Sequence, residues 1–289
     1  MPKAEGKDND MFILTLLDEK NESAFLPALT AQAARNANLI IGVIETETDT
    51  ACGVLAAELR ADGERDSFVI LQLTVAEEFR GKGAESAMLR YLEDITSDIG
   101  CSSVYASELI MDGEESENEQ YYLGTGFYVE DRSLPLKGFT FSDISVRSRK
   151  SDCACIPLMN LSDEDWDEFR NKIQTTSFYV GERSEYDKSL STFLFQKDRQ
   201  ICGGILVQDE GQELFIDCIA IFGRDEEALF NDLFFELYKK SRLKKQPDTI
   251  VRMYQPSGFV YQKMLQEMTA QKAKTVGKLV NYTYVVPAV

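Results

Sequence analysis

The chain has no histidine. Ser-His-Asp and Cys-His triads, His-ligated metal sites and histidine bases are thereby excluded, and proton transfer falls to carboxylate, tyrosine, cysteine, lysine or water. Basic residues are also short: 31 Lys and Arg stand against 49 Asp and Glu, a formal net charge of −18. That balance opposes nucleic acid and anionic membrane surfaces and draws in a cationic amine. No run approaches the roughly 18 consecutive apolar residues that span a bilayer. The opening MPKAEGKDND is charged and lacks a signal-peptide core, so the expectation is a cytoplasmic protein with no nucleic-acid or membrane partner. Six cysteines, Cys52, Cys101, Cys153, Cys155, Cys202 and Cys218, lie mostly in apolar segments and read as small buried hydrophobes. Cys153 and Cys155 are too close along a strand for an unstrained bridge and belong to no CxxC pair, so no metal is expected.

What is present centres on Phe68 to Asp94. Phe68, Val69, Ile70, Leu71, Leu73 and Val75 form a nearly continuous apolar stretch, the pattern of a strand buried on both faces. Arg80-Gly81-Lys82-Gly83-Ala84 follows, with two residues that lack a Cβ and let the backbone turn tightly. Ala87, Met88, Tyr91, Leu92 and Ile95 then recur at helical spacing. A glycine loop feeding a helix N-terminus presents free N–H donors and the positive end of the helix dipole, and Arg80 and Lys82 add charge: the makings of a phosphate site.

Strand, loop and helix in this order resemble the acetyl-CoA signature of the GNAT superfamily of N-acetyltransferases, whose pattern is Arg or Gln, two residues, Gly, one residue, then Gly or Ala. Here it reads Arg80-Gly81-Lys82-Gly83-Ala84-Glu85. Glu85 stands where the pattern has a small residue, and a carboxylate there repels a pyrophosphate unless its side chain turns to solvent. Tyr122, four residues before Gly126-Phe127, resembles the second signature, whose tyrosine lies beside the thioester sulfur and serves as general acid.

In chain order, Phe12 to Leu17 reads as a first strand and Asn21 to Ala37 as one or two helices. Leu39 to Glu45 and Cys52 to Leu59 read as an antiparallel hairpin, and Asp62-Gly63-Glu64 as the turn into the central strand. Ser103 to Ile110 is the expected parallel neighbour, Gln120 to Gly126 a short helix, and Phe127 to Asp131 and Gly138 to Ile144 the last strands. The charged stretch VRSRKSD marks a boundary, giving an acetyl-CoA-binding domain over 1–148 and a second domain over 149–289.

The second half repeats the order. Ala154 to Met159 is a strand, and Ser162 to Asp165 is a capping box ahead of a helix carrying Trp166, Phe169 and Ile173. Ser191 to Phe195, Ile201 to Val207 and Leu214 to Phe222 are strands, and Asp225 to Lys240 is a helix. Ile250 to Tyr254, a helix beginning at Ser257-Gly258, and strands Thr275 to Val280 and Tyr282 to Val286 complete the set. Where the first half has its glycine loop, the second passes through Gly223-Arg224-Asp225-Glu226-Glu227, whose acidic residues satisfy the helix dipole and repel phosphate. The expected fold is α+β: two GNAT-like domains, each a mixed, mostly antiparallel twisted sheet with a parallel central pair splayed at the cofactor site, the second copy without a phosphate loop.

The resemblance implies acetyl transfer from acetyl-CoA, as cosubstrate, to a primary amine by direct attack. The loop residues Arg80, Gly81, Lys82, Gly83, Ala84 and Glu85 would hold the pyrophosphate. Leu73, with Thr74 and Val75 at the bulged end of the central strand, would offer main-chain groups to the pantetheine arm and thioester oxygen. Tyr122 would protonate the leaving sulfur, and Glu108, or next Glu58, would take the ammonium proton. The acceptor is a small-molecule or peptide amine, a cationic one included, and the chain is a monomer or homodimer. Two rival readings stand beside it: a CoA-binding sensor with little turnover, and a structural tandem domain that holds no ligand.

Overall fold

The computed structural model describes residues 11–287 apart from 19–20, 26–27, 63–64, 131–132, 147 and 175–179. The charged N-terminal stretch, Gly63 and Glu64 of the expected turn and Arg147 of the expected boundary lie outside the described residues. The chain divides into two compact units, 1–133 with 279–289, and 134–278.

In the first unit, β1 (Phe12–Leu16), β2 (Leu39–Glu45), β3 (Thr50–Asp62) and β4 (Arg65–Val75) are successive antiparallel neighbours, with α1 (Ala31–Asn36) between β1 and β2. α2 (Ala84–Asp98) then crosses over to β5 (Ser103–Met111), which pairs with β4 in parallel. α3 (Glu119–Gly124) and the short β6 (Tyr128–Val129) follow. The strand beyond β5 comes from the far end of the sequence: residues 279–285 lie next to β5, and β6 pairs antiparallel with Tyr282 and Thr283.

β4 obeys the period of 2 with one interruption. Phe68 and Ile70 are buried on the even positions, Leu73 and Val75 on the odd ones. The switch occurs where the β3–β4 register slips, between Ala56↔Gln72 and Ala57↔Ile70, leaving Leu71 as an extra residue. A bulge moves every later side chain to the opposite face, so the buried side stays continuous while the sequence loses its alternation. The apolar run therefore marks a bulged strand with one core face; Val69, Leu71, Gln72 and Thr74 on the other side are only half-buried. Against the core face lies α2, whose Ala84, Met88, Leu92 and Thr96 form a buried stripe at i, i+4 spacing.

The second unit repeats this order. β7 (Leu134–Thr140) is followed by β8 (Ala154–Pro157), α4 (Asp163–Gln174), β9 (Thr192–Phe195), β10 (Ile201–Asp209), β11 (Glu213–Ile221), α5 (Glu226–Ser241), β12 (Ile250–Tyr254), α6 (Phe259–Met268) and β13 (Lys274–Val285). Within the unit the spatial order is β7-β12-β11-β10-β9-β8, antiparallel except for the β11–β12 pair. The fold is α+β, two units each mostly antiparallel with one parallel central pair.

Two expectations change. Tyr282 to Val286 does not form a separate strand from Thr275 to Val280; β13 is one strand, because Asn281 stays extended, its carbonyl accepting the Glu130 N–H at 2.9 Å and its Oδ1 the Ser107 hydroxyl at 2.8 Å. The strand placed over Gly138 to Ile144 runs instead over Leu134–Thr140, since Thr140 and Asp143 form a capping box that turns Phe141–Asp143 into a 3-10 turn. The compact units divide after Ser133 and again after Lys278. β7 belongs with the second unit and 279–285 with the first, so each unit is completed by a strand that charge and linker composition do not reveal.

Candidate active site

The parallel ladder between β4 and β5 joins Ser67–Ile70 to Ser103–Ala106 and ends there, although β4 continues to Val75 and β5 to Met111. Past Ile70 the two strands part, and the splay begins at the extra residue Leu71. The bulge was expected at Thr74–Val75; it lies three residues earlier. Leu73 and Val75 point into the core, 8% and 3% exposed, so only their main-chain groups are available to a ligand.

Beyond β4 a 3-10 turn, Glu77–Phe79, leads into the glycine loop. Gly81 has φ +71° and Gly83 +102°, left-handed values that a side chain adopts only under strain, so the backbone here needs glycine. A Cβ at Gly81 would meet nothing nearer than the Tyr121 hydroxyl at 3.9 Å, which makes conformation, not space, the reason. Gly83 is the N-cap of α2 and carries no side chain to cap it. The N–H groups of Ala84, Glu85 and Ser86 thus begin the helix without intrahelical acceptors. The loop's cations are turned elsewhere. Arg80 donates to the Val75 carbonyl at 3.2 Å and pairs with Glu117 at 3.4 Å, while the Lys82 ammonium sits 5.4 Å from the centre of the Phe79 ring. Glu85 does not turn to solvent. It is 2% exposed, and its Oε1 accepts the Gly81 N–H at 3.3 Å.

Tyr122 is also buried, 3% exposed, its ring 4.8 Å from Tyr282 and 5.3 Å from Phe127. Burial, then the charge of Glu108 and the neighbouring Tyr282, pushes its hydroxyl well above the ordinary tyrosine value, so it is held neutral, as a proton donor must be. Glu108 is heavily engaged. It accepts hydrogen bonds from the Ser116 hydroxyl, from the Glu117 and Asn118 N–H groups at 2.9 and 3.3 Å, and from the Tyr282 hydroxyl at 3.4 Å. It thereby ties β5 to the loop that starts α3. Glu58 forms a two-pronged pair with Arg60, at 2.9 and 2.7 Å. The structure thus brings Tyr122, Glu108 and the β5 end together, and gathers Arg80 to Glu85 at the α2 terminus.

Sequence reasoning missed three residues. Tyr282, fully buried, joins Tyr122 to Glu108 from a strand 160 and 174 residues further along the sequence, a distance across which no local pattern speaks. Tyr121, adjacent to the signature tyrosine, is the one whose hydroxyl reaches Gly81. Gln72 joins β4 to the segment before α1, accepting the Thr30 N–H at 2.8 Å and donating to the Ala28 carbonyl at 2.6 Å. A polar residue inside an apolar strand was the available signal.

In the second unit β11 and β12 likewise pair only over Glu213–Ile216 and Ile250–Met253. There the link to the helix is short, Asp225 is the N-cap of α5 without a side-chain cap bond, and Glu226 and Glu227 fill the first turn. Among the described residues no group of three or more Cys, Asp or Glu gathers to hold a metal, and no helix is long and apolar enough to cross a membrane.

Residues 10–120 match the model of the Acetyltransferase (GNAT) family. No curated protein matches the chain in sequence. Among solved structures, the chain is similar to a GCN5-related glucosamine N-acetyltransferase region in a fungal multi-domain GH3 beta-N-acetylglucosaminidase, with TM-score 0.69 at 8% identity over 96% of this chain. The chain spans 38% of the length of that fungal protein. A tandem GNAT protein from the clavulanic acid biosynthesis pathway matches with TM-score 0.66 and 12% identity, over 96% of this chain and 99% of its own. N-myristoyltransferase of Saccharomyces cerevisiae matches with TM-score 0.61 and 11% identity, over 97% and 80%. At these identities the likeness is one of fold.

Proposed function

We propose, from the match of residues 10–120 to the Acetyltransferase (GNAT) family model, that the first unit is an acyl-CoA N-acyltransferase domain that transfers an acetyl group from acetyl-CoA to a primary amine by direct attack on the thioester. The observation that carries this reading is the junction itself: β4 and β5 part at Ile70 and Ala106, and the loop with two left-handed glycines opens onto the uncapped end of α2. Backbone N–H groups at Gly83 to Ser86 would hold the pyrophosphate. Main-chain groups of Leu73, Thr74 and Val75, on the β4 segment released from β5, would bind the pantetheine arm and polarise the thioester carbonyl.

In this proposal the amine attacks the thioester carbon, the carbon–sulfur bond breaks, and neutral Tyr122 gives its proton to the departing thiolate. Glu108 takes the ammonium proton and must loosen its hold on residues 116–118 to do so. The net charge of −18 favours a cationic acceptor. The second unit, with Glu226 and Glu227 at the corresponding helix start, is proposed to support the fold without binding CoA.

Titration calorimetry with acetyl-CoA, followed by thiol release over an amine panel, tests the reading. The panel includes polyamines, peptides and an amino sugar, the last because of the fungal neighbour's name. Binding with amine-dependent thiol release is expected. No binding leaves a structural tandem domain. Binding without release favours a CoA sensor, the reading to which the inward Glu85 lends support.

A further inference from the structure

Glu85 is a charged residue in the first turn of a helix, where solvent is usually within reach, yet it is 2% exposed. Its Oε1 takes the Gly81 N–H at 3.3 Å, a donor of the very loop whose backbone would cradle a phosphate. Its Oε2 is buried with no hydrogen-bond partner. Neither loop cation compensates: Arg80 is bound to the Val75 carbonyl and Glu117, and Lys82 lies over Phe79, with its charge also felt by Glu45 on β2. On the β3 side the neighbour is the Cys52 thiol, pushed up to about 11 by burial first and then by the charges of Glu45 and Glu85. The carboxylate thus rests on backbone dipoles alone, half satisfied in a place built to satisfy an anion fully.

We propose that Glu85 is an internal anion seated in the phosphate cradle, and that a donor's pyrophosphate binds by displacing it. The inference rests on the donor-site reading above and adds to it a self-occupied resting state. A pyrophosphate brings more charge and more acceptor oxygens than one carboxylate with one long bond, so it wins the cradle, at an affinity lowered by the competitor. The arrangement selects for ligands with a pyrophosphate. A ligand that offers only the pantetheine arm gains nothing from moving Glu85.

The test uses the full chain, as wild type, Glu85→Ala and Glu85→Gln, titrated calorimetrically with CoA and separately with pantetheine. Both substitutions are expected to tighten CoA binding at least 5-fold and to leave pantetheine binding unchanged. Glu85→Gln keeps the side-chain volume, so the experiment survives if Glu85→Ala does not fold. Unchanged CoA affinity with a lowered Tm makes Glu85 a helix cap and overturns the inference, with the donor reading intact. Weaker CoA binding overturns it too, by showing that Glu85 assists the ligand. Folded proteins of which none binds CoA overturn the donor reading and this inference together.

Discussion

The molecule makes the same strand-to-helix turn twice, after β4 and after β11, in opposite ways. After β4 the chain spends eight residues, 76–83, on the link and leaves the start of α2 uncapped, with glycines at φ +71° and +102°. After β11 it needs four, 222–225, and glycine appears for packing: a Cβ at Gly223 would come within 2.6 Å of the Leu229 side chain and 3.3 Å of Cys202. Neither helix start has a side-chain cap, so the difference lies in the link: one bends through two left-handed glycines, and the other closes helix onto sheet with acidic residues in the first turn. The lesson is that a glycine before a helix speaks of a ligand only when its dihedral angles and the free N–H groups agree; its presence alone does not.

The sharpest way to break the comparison is Gly83→Trp. It puts a side chain at φ +102° and fills the space before α2, and CoA affinity measured by calorimetry should fall more than 100-fold, about 2.7 kcal/mol or more. Unchanged affinity would put the donor site elsewhere. Next in size is a contrast between carboxylates on the two crossover helices. Asp232 on α5 is fully buried and accepts from the Lys150 and Ser151 N–H groups at 2.6 and 2.9 Å and from the Ser151 hydroxyl at 2.6 Å. Burial raises its pKa, and these bonds more than offset that, holding the carboxyl below the usual range. Asp232→Ala orphans the donors and should cost about 3 kcal/mol in chemical denaturation near pH 7, a loss that shrinks as pH falls below the ordinary aspartate pKa and through the lower folded one, where the native carboxylate itself is protonated. A loss under 1 kcal/mol would show that solvent takes over the donors.

Gly223→Ala should cost about 1–2 kcal/mol through overpacking against Leu229, with CoA affinity untouched. Altered affinity would mean that the second turn also serves the ligand. The smallest effect belongs to Glu93 on α2, whose Oε1 is buried without a partner. Burial, then Asp94, pushes its pKa up to about 7 against the opposing Arg90. A raised carboxyl binds its proton more tightly folded than unfolded, so its ionisation costs stability progressively from about pH 4.5 to 7. Glu93→Gln should therefore raise Tm at pH 8 by a few degrees and change it little at pH 4. Equal shifts at both values would remove the titration argument.

Much of this was legible in the residues. The α2 stripe of Met88 and Leu92, the parallel partner at Ser103 and the glycine loop followed from spacing, because helices and turns are written locally. The bulge at Leu71 was disguised: shifting the buried parity from Ile70 to Leu73 made an ordinary one-faced strand read as a two-faced one. The inward turn of Glu85 was not readable, since it depends on the positions of Gly81 and β3 around it. Nor was the placing of Tyr282, or the working environment of Glu108, whose four donors come from residues 116–118 and 282. Strand partnership at long range leaves no periodic trace.

The late arrival of residues 279–285 sets an order of events in time. Between the end of the first unit's main segment and the strand that completes it stand the 145 residues 134–278. At roughly 5–20 residues per second, a ribosome needs roughly 7–30 s to make them. Throughout that interval β5 presents an unpaired edge, and the Tyr122 ring lacks its neighbour Tyr282. The unit that carries the glycine loop is begun before the second unit and completed after it, and a nascent chain halted before residue 279 would hold Tyr122 and Glu108 without the tyrosine that joins them.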